Sequence, residues 1–128
     1  MRIEHVAVWT NDLERLRAFY EQYFGARAGA PYRSATRAGF TSYFLTFPAG
    51  GARVELMSAP GLSAVAGAPA AGYADLALSL GSEAAVEALA ARLRREGTCV
   101  VSGPRRTGDG YFEAVVEDPD GNVVELTA

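Results

Sequence analysis

Four ionisable residues recur on a fixed grid. His5 and Glu55 stand fifty positions apart, as do Asp75 and Glu125, and the second pair repeats the first at an offset of seventy. Each sits in a strand-like run: Ile3-Glu4-His5-Val6-Ala7-Val8, Arg53-Val54-Glu55-Leu56-Met57, Tyr73-Ala74-Asp75-Leu76-Ala77 and Asn122-Val123-Val124-Glu125-Leu126. A chain that duplicates its ionisable residues together with its hydrophobic pattern uses both copies to build one site. Clustered carboxylates repel one another unless a cation sits between them, so the chemistry this grid points to is divalent-metal binding. An imidazole with three carboxylates admits Zn, Ni, Mn, Fe or Mg.

The elements that must carry these residues are legible as two similar halves. Alternation over residues 2–9 predicts a strand with His5 and Trp9 on one face. Asn11-Asp12 offers a helix start, Leu13, Leu16, Phe19, Tyr20, Tyr23 and Phe24 follow at helical spacing, and Gly25 ends the run. A weak strand over 26–33 and stronger ones over 39–47 and 52–58 complete the half, with Pro48-Ala49-Gly50-Gly51 as a turn. Residues 60–72, rich in Gly, Ala and Pro, read as a linker.

The second half repeats the order. It has a strand over 73–80, a helix capped by Ser82 that carries Val86, Leu89 and Leu93 and stops at Gly97, and strands over 98–101, 111–117 and 122–127. Asp118-Pro119-Asp120-Gly121-Asn122 is a hairpin turn that aligns without a gap on residues 48–52. The expected organisation is one domain over 1–128, with module 1 at about 1–59 and module 2 at about 73–128.

Superposed at the offset of seventy, Val6, Val8, Val54 and Leu56 fall on Leu76, Leu78, Val124 and Leu126, the face a helix covers. His5, Glu55, Asp75 and Glu125 take the opposite face, and two facing sheets would aim all four into one cup. Tyr43 and Glu113 are also equivalent by that offset and are expected on the cup face as substrate contacts. Trp9, Arg53 and Met57 share faces with His5 and Glu55, and Trp9, Tyr43 and Phe47 supply aromatic walls. Arg53 would meet a ligand carboxylate. Glu4 is assigned to solvent.

Length and composition bound the rest. The 128 residues suit one globular domain; net charge is −3 and no basic stripe interleaves with aromatics, so nucleic acid is not an expected partner. No apolar run is long enough to span a bilayer and the start carries no secretory pattern, so the expected compartment is the cytoplasm, without membrane association. The single cysteine, Cys99, makes no intrachain disulfide and is expected to be buried. Gly103 to Tyr111, with Arg105 and Arg106, reads as a lid or as a solvated connector.

The pattern resembles the vicinal oxygen chelate superfamily, which includes lactoylglutathione lyase (glyoxalase I), bleomycin-resistance proteins and extradiol dioxygenases. Ile3-Glu4-His5-Val6-Ala7-Val8, Phe19-Tyr20, Gly25, Val54-Glu55-Leu56, Gly72-Tyr73-Ala74-Asp75-Leu76-Ala77 and Asp118-Pro119-Asp120-Gly121-Asn122-Val123-Val124-Glu125-Leu126 carry it. The resemblance implies an α+β fold: two tandem βαβββ modules forming an open, curved mixed sheet barrel with helices outside, around a divalent metal, often as a homodimer. It implies metal ligation by His5, Glu55 and Glu125, with Glu125 as the base that shuttles a proton while the metal stabilises an enediolate of a small oxygen-chelating substrate. Asp75 departs from the histidine that glyoxalase-like members place there; a shorter, charged side chain favours harder cations. The alternative is a metal-free, bleomycin-resistance-like binding protein. A dioxygenase needs two histidines at its iron, and this chain has one.

Overall fold

The alternating run at the N-terminus becomes β1 (His5–Trp9), shorter than the expected strand, although the Arg53 amide still donates to the Glu4 carbonyl at 3.0 Å. This computed structural model describes residues 1–63 and 71–128, so much of the expected linker lies outside the described residues. The chain divides into two compact units, Met1–Ala66 and Gly67–Ala128. Each has a sheet with one helix, and together they give a mixed α+β architecture of βαβββ-like modules.

In the first unit, Asp12 caps α1 (Leu13–Phe24) by accepting from the Arg15 amide at 3.0 Å, and Gly25 closes it in the left-handed conformation at φ 63°. That backbone geometry costs glycine little. The weak strand resolves into two short pieces, β2 (Arg27–Ala28) and β3 (Tyr32–Arg33), both paired with β4 (Thr41–Thr46). β5 (Arg53–Ser58) lies between β4, antiparallel, and β1, parallel. Leu16 and Tyr20 of the helix and Leu45, Val54 and Leu56 of the sheet are buried on the covered face. Burying such side chains stabilises by about 1.5–3 kcal/mol each.

The second unit runs β6 (Leu76–Ser79), α2 (Glu83–Arg95), β7 (Val100–Arg106), β8 (Phe112–Glu117) and β9 (Val123–Thr127), in the sheet order β6-β9-β8-β7. Ser82 caps α2 through the Ala85 amide at 3.2 Å. Val86, Ala90 and Leu93 are fully buried, as are Ala114, Val116, Val124 and Leu126. The expected hairpin forms as read: Asp118 is buried and accepts from the amides of Asp120 and Asn122, and Gly121 takes φ 82°.

Three expectations are corrected. The first is the proposed lid. Gly103 to Arg106 belong to β7, where Arg105 stands opposite Glu113 and Arg106 opposite Phe112. The second is Cys99, which is exposed; its thiol hydrogen-bonds Glu117, which pushes its pKa up. Period-two alternation on this edge strand turns positions 99 and 101 to the open side.

The third is the gapless alignment of the two hairpins. Phe44 stands opposite Glu55, but Val115 stands opposite Glu125. Eleven positions separate the first pair and ten the second, so the first hairpin is one residue longer. A shift of one residue turns every side chain of a strand to the other face.

Candidate metal and substrate site

β1 and β5 set the first half of the site. Their parallel register places His5 beside Arg53, Ala7 beside Glu55 and Trp9 beside Met57, all on the face away from α1. From these positions His5 Nε2 comes within 3.8 Å of Glu55 Oε2. The other ring nitrogen, Nδ1, hydrogen-bonds Glu4 Oε2, and Arg53 donates to Glu4 Oε1. Glu4, assigned above to solvent, therefore bridges the imidazole and the guanidinium. The hydrogen bond from His5, then that from Arg53, hold its carboxyl below the usual range. In the neutral tautomer in which Nδ1 donates to Glu4, the lone pair of Nε2 lies on the Glu55 side.

Phe44 completes this half. Its ring packs edge-on to His5 at 5.3 Å between centroids, and the Arg53 guanidinium lies 4.1 Å over it. Arg53 also borders a cleft of about 330 Å³ with Arg2, Ile3, Glu4, Gly51 and Ala52.

Tyr43, expected on the cup face, lies on the opposite one. It stands opposite Leu56, is 8% exposed, and donates through its hydroxyl to Glu14 Oε1 at 2.8 Å beneath Arg17. That bond to a carboxylate raises the phenol pKa. The extra residue of the first hairpin is the cause: it makes Ser42, not Tyr43, the counterpart of Glu113, and brings Phe44 to the site face. Tyr43 thus pins α1 to the sheet. Tyr43→Phe is expected to lower the melting temperature by roughly 3 °C and to leave ligand binding unchanged, as thermal melts and titrations would show. Phe47 is also off the sheet; it opens the turn, where its carbonyl accepts from the Gly50 amide at 3.0 Å.

Trp9 and Met57 hold the faces expected of them. Trp9 is 41% exposed and meets Phe40 edge-on at 5.9 Å.

β9 sets the second half. Glu125 stands between Ala77 of β6 and Val115 of β8, and Glu113 two residues along β8 shares its face, opposite Thr127. Arg105 of β7 reaches Glu113 Oε1 at 2.9 Å and Ser102 Oγ at 2.8 Å. Asp75 is exposed and lies one residue before β6. Burial pushes the Glu125 carboxyl pKa up, and the charges of Glu113 and Asp75 and a hydrogen bond with Glu113 push it further, against Arg105. The charges of Glu113 and Asp75 thus both bear on the protonation of Glu125.

Among the described residues, no three His, Cys, Asp or Glu gather as a complete metal-binding group. The His5–Glu55 pair nonetheless suits a cation. Two donors each ~2.1 Å from one ion lie up to ~4 Å apart, which the His5–Glu55 separation satisfies. A carboxylate on the far nitrogen of a ligating histidine is the usual arrangement behind a metal centre. Glu4 and Phe44 are what the sequence reading missed. A glutamate next to the histidine was visible, but its reach to both His5 and Arg53 depends on the β1–β5 register.

A family model described as the Glyoxalase/Bleomycin resistance protein/Dioxygenase superfamily matches residues 2–126. No curated protein sequence matches. Among solved structures, the chain is similar to a glyoxylase/bleomycin resistance protein/dioxygenase domain from Frankia sp. EAN1pec, with 16% identity, a TM-score of 0.84, and 99% of this chain and 96% of that one covered. It is also similar to the trypanothione-dependent glyoxalase I of Leishmania major, at 23% identity and TM-score 0.78 over 99% of this chain and 86% of that one. Glyoxalase I of Zea mays aligns at 23% identity and TM-score 0.77, over 98% of this chain and 44% of the longer maize chain.

Proposed function

The chain belongs to the glyoxalase/bleomycin resistance protein/dioxygenase superfamily, and from that premise we propose that it is a metal-dependent lyase or isomerase of the lactoylglutathione lyase type. Its substrate would be a small molecule that offers two neighbouring oxygens. The observation that carries this reading is the orientation of His5: Glu4 holds Nδ1, leaving Nε2 toward Glu55 at 3.8 Å.

His5 and Glu55 of the first unit, and Asp75 and Glu125 of the second, are the side chains that would ligate a cation. A divalent cation bound there supplies Lewis acidity, stabilising negative charge on substrate oxygen as a proton leaves carbon. Glu125 takes that proton on its carboxylate and returns it to the neighbouring carbon. In the absence of a cation, burial and the charges of Glu113 and Asp75 raise its pKa, which favours proton uptake. Phe44, opposite Glu55, and Met57, two residues along β5, present apolar side chains on the face that carries Glu55.

A second reading, a metal-free binding protein, is favoured by two observations. Arg105 already neutralises Glu113, and Asp75 is exposed outside its strand. One experiment separates the readings. Protein purified without chelator is analysed for metal, then assayed with methylglyoxal and thiols in Mn²⁺, Ni²⁺ or Zn²⁺. Bound metal at one ion per chain with turnover supports the lyase. No turnover above a Glu125→Gln control under any metal ends that reading.

A further inference from the structure

Beyond the residues around His5, the first unit carries a cluster of aromatic rings and a cation that the fold does not need for its core. Trp9 ends β1, Tyr32 lies in β3, and Arg37 and Phe40 belong to the loop between β3 and β4. Phe40 packs edge-on to Trp9 at 5.9 Å and to Tyr32 at 6.2 Å. The Arg37 guanidinium lies 5.1 Å from the Trp9 ring centre and 5.3 Å from that of Phe40. Trp9 is 41% exposed and Tyr32 56%, so large aromatic surfaces stay open. Arg37 has no carboxylate partner among the described residues.

The loop is braced. Ser34 Oγ accepts from the amides of Thr36 at 3.2 Å and Arg37 at 2.9 Å, the Phe40 amide donates to the Arg37 carbonyl at 3.1 Å, and the Ser34 amide donates to the Phe40 carbonyl at 3.1 Å. Gly39 takes φ 75°, and a side chain there would meet Pro60 at 2.6 Å, so only glycine lets the loop seat against that proline. The rings and the guanidinium are therefore held in place before any ligand arrives.

We propose that this cluster binds a planar aromatic carboxylate, its ring stacked against Trp9 and Tyr32 and its carboxylate on Arg37. The chemistry is specific on both counts. A guanidinium stacked on rings keeps its N–H edge free, and that edge matches a carboxylate with two parallel hydrogen bonds. Offset or edge-on contact with exposed indole and phenol rings favours a flat unsaturated ligand over a saturated one. Trp9 lies four residues along β1 from His5, ~13 Å away, so this subsite is separate from the His5–Glu55 pair and needs no cation there.

Trp9 is the only tryptophan in the chain, so its fluorescence reports this cluster alone. The experiment titrates metal-free, full-length protein with trans-cinnamate, with cinnamamide as the uncharged partner and cyclohexanecarboxylate as the non-aromatic one. Saturable quenching by cinnamate is expected, at least tenfold weaker for each of the other two. Arg37→Gln and Arg37→Lys are both expected to weaken cinnamate at least fivefold with an unchanged circular dichroism spectrum, since lysine keeps the charge but not the planar fork. Tyr32→Leu is expected to weaken it as well. The proposal is overturned by no saturable response to cinnamate, by equal binding of cinnamamide, or by Arg37 variants that bind as the parent does; an altered melting temperature alone would mark Arg37 as a brace for the loop. Loss of activity with metal does not bear on these outcomes.

Discussion

Glu125→Gln is expected to lower kcat about 10²–10⁴-fold, the usual range for removing a positioned acid–base group. Glutamine keeps the size of the side chain and its place between Ala77 and Val115, but it cannot take a proton from carbon. Stability should move the other way. In the parent, burial and the charges of Glu113 and Asp75 raise the Glu125 pKa, so its ionised form is the disfavoured one in the fold. A carboxyl whose folded pKa lies above its unfolded one contributes stability below the ordinary value of 4.5, and this is lost as pH rises through the folded value. The variant carries no such penalty, so at neutral pH it should melt at or above the parent temperature. A variant that retains turnover, or that loses it only because it unfolds, would remove Glu125 from its assigned role.

Glu4→Ala is expected to weaken divalent-cation affinity about 10–100-fold, the cost seen when the partner behind a ligating histidine is removed. The bond to Nδ1 fixes which nitrogen carries the proton and aims the ring, and Glu4 is itself held by Arg53. Isothermal titration at fixed pH, or competition with a chelator, would measure the change. Turnover at saturating metal should fall much less than affinity, since Glu4 does not touch substrate in this reading. The pH dependence has a definite sign. The folded pKa of Glu4 is lowered by His5 and Arg53, so its contribution to stability is present above the ordinary 4.5 and disappears as pH falls through the lowered value. The melting curves of parent and variant should therefore converge at low pH. An unchanged metal affinity would mean that His5 does not ligate through the nitrogen that Glu4 leaves open.

Much of this molecule is legible without coordinates because the relevant signals are local. Period-two alternation marked β1, β5 and β9, helical spacing marked α1 and α2, the Ser82 cap was visible as a residue type in the right place, and Asn11-Asp12 marked the start of α1, where Asp12 rather than Asn11 is the cap. The faces of His5, Glu55 and Glu125 followed from the same alternation, since parity along a strand is a property of the chain itself. The duplication of these signals, with the closing Asp118 to Leu126 segment, was enough to point to the family that the model match over residues 2–126 establishes.

What the alternation could not carry was any relation that passes through a turn or across a ladder. One additional residue in the first hairpin, hidden in a stretch of Pro, Ala and Gly, reversed the faces of β4: Tyr43 went to the helix and Phe44 to the site. Cys99 and the Gly103–Arg106 segment were misplaced for a similar reason, since local apolarity and glycine content do not say which edge of a sheet a segment joins. The bridge from Glu4 to both His5 and Arg53 joins residues forty-nine positions apart and exists only because β1 pairs with β5 in one register. Residue types and their periodicity set which side chains can do chemistry; inter-strand hydrogen bonding, which depends on turn length and pairing, decides which of them meet.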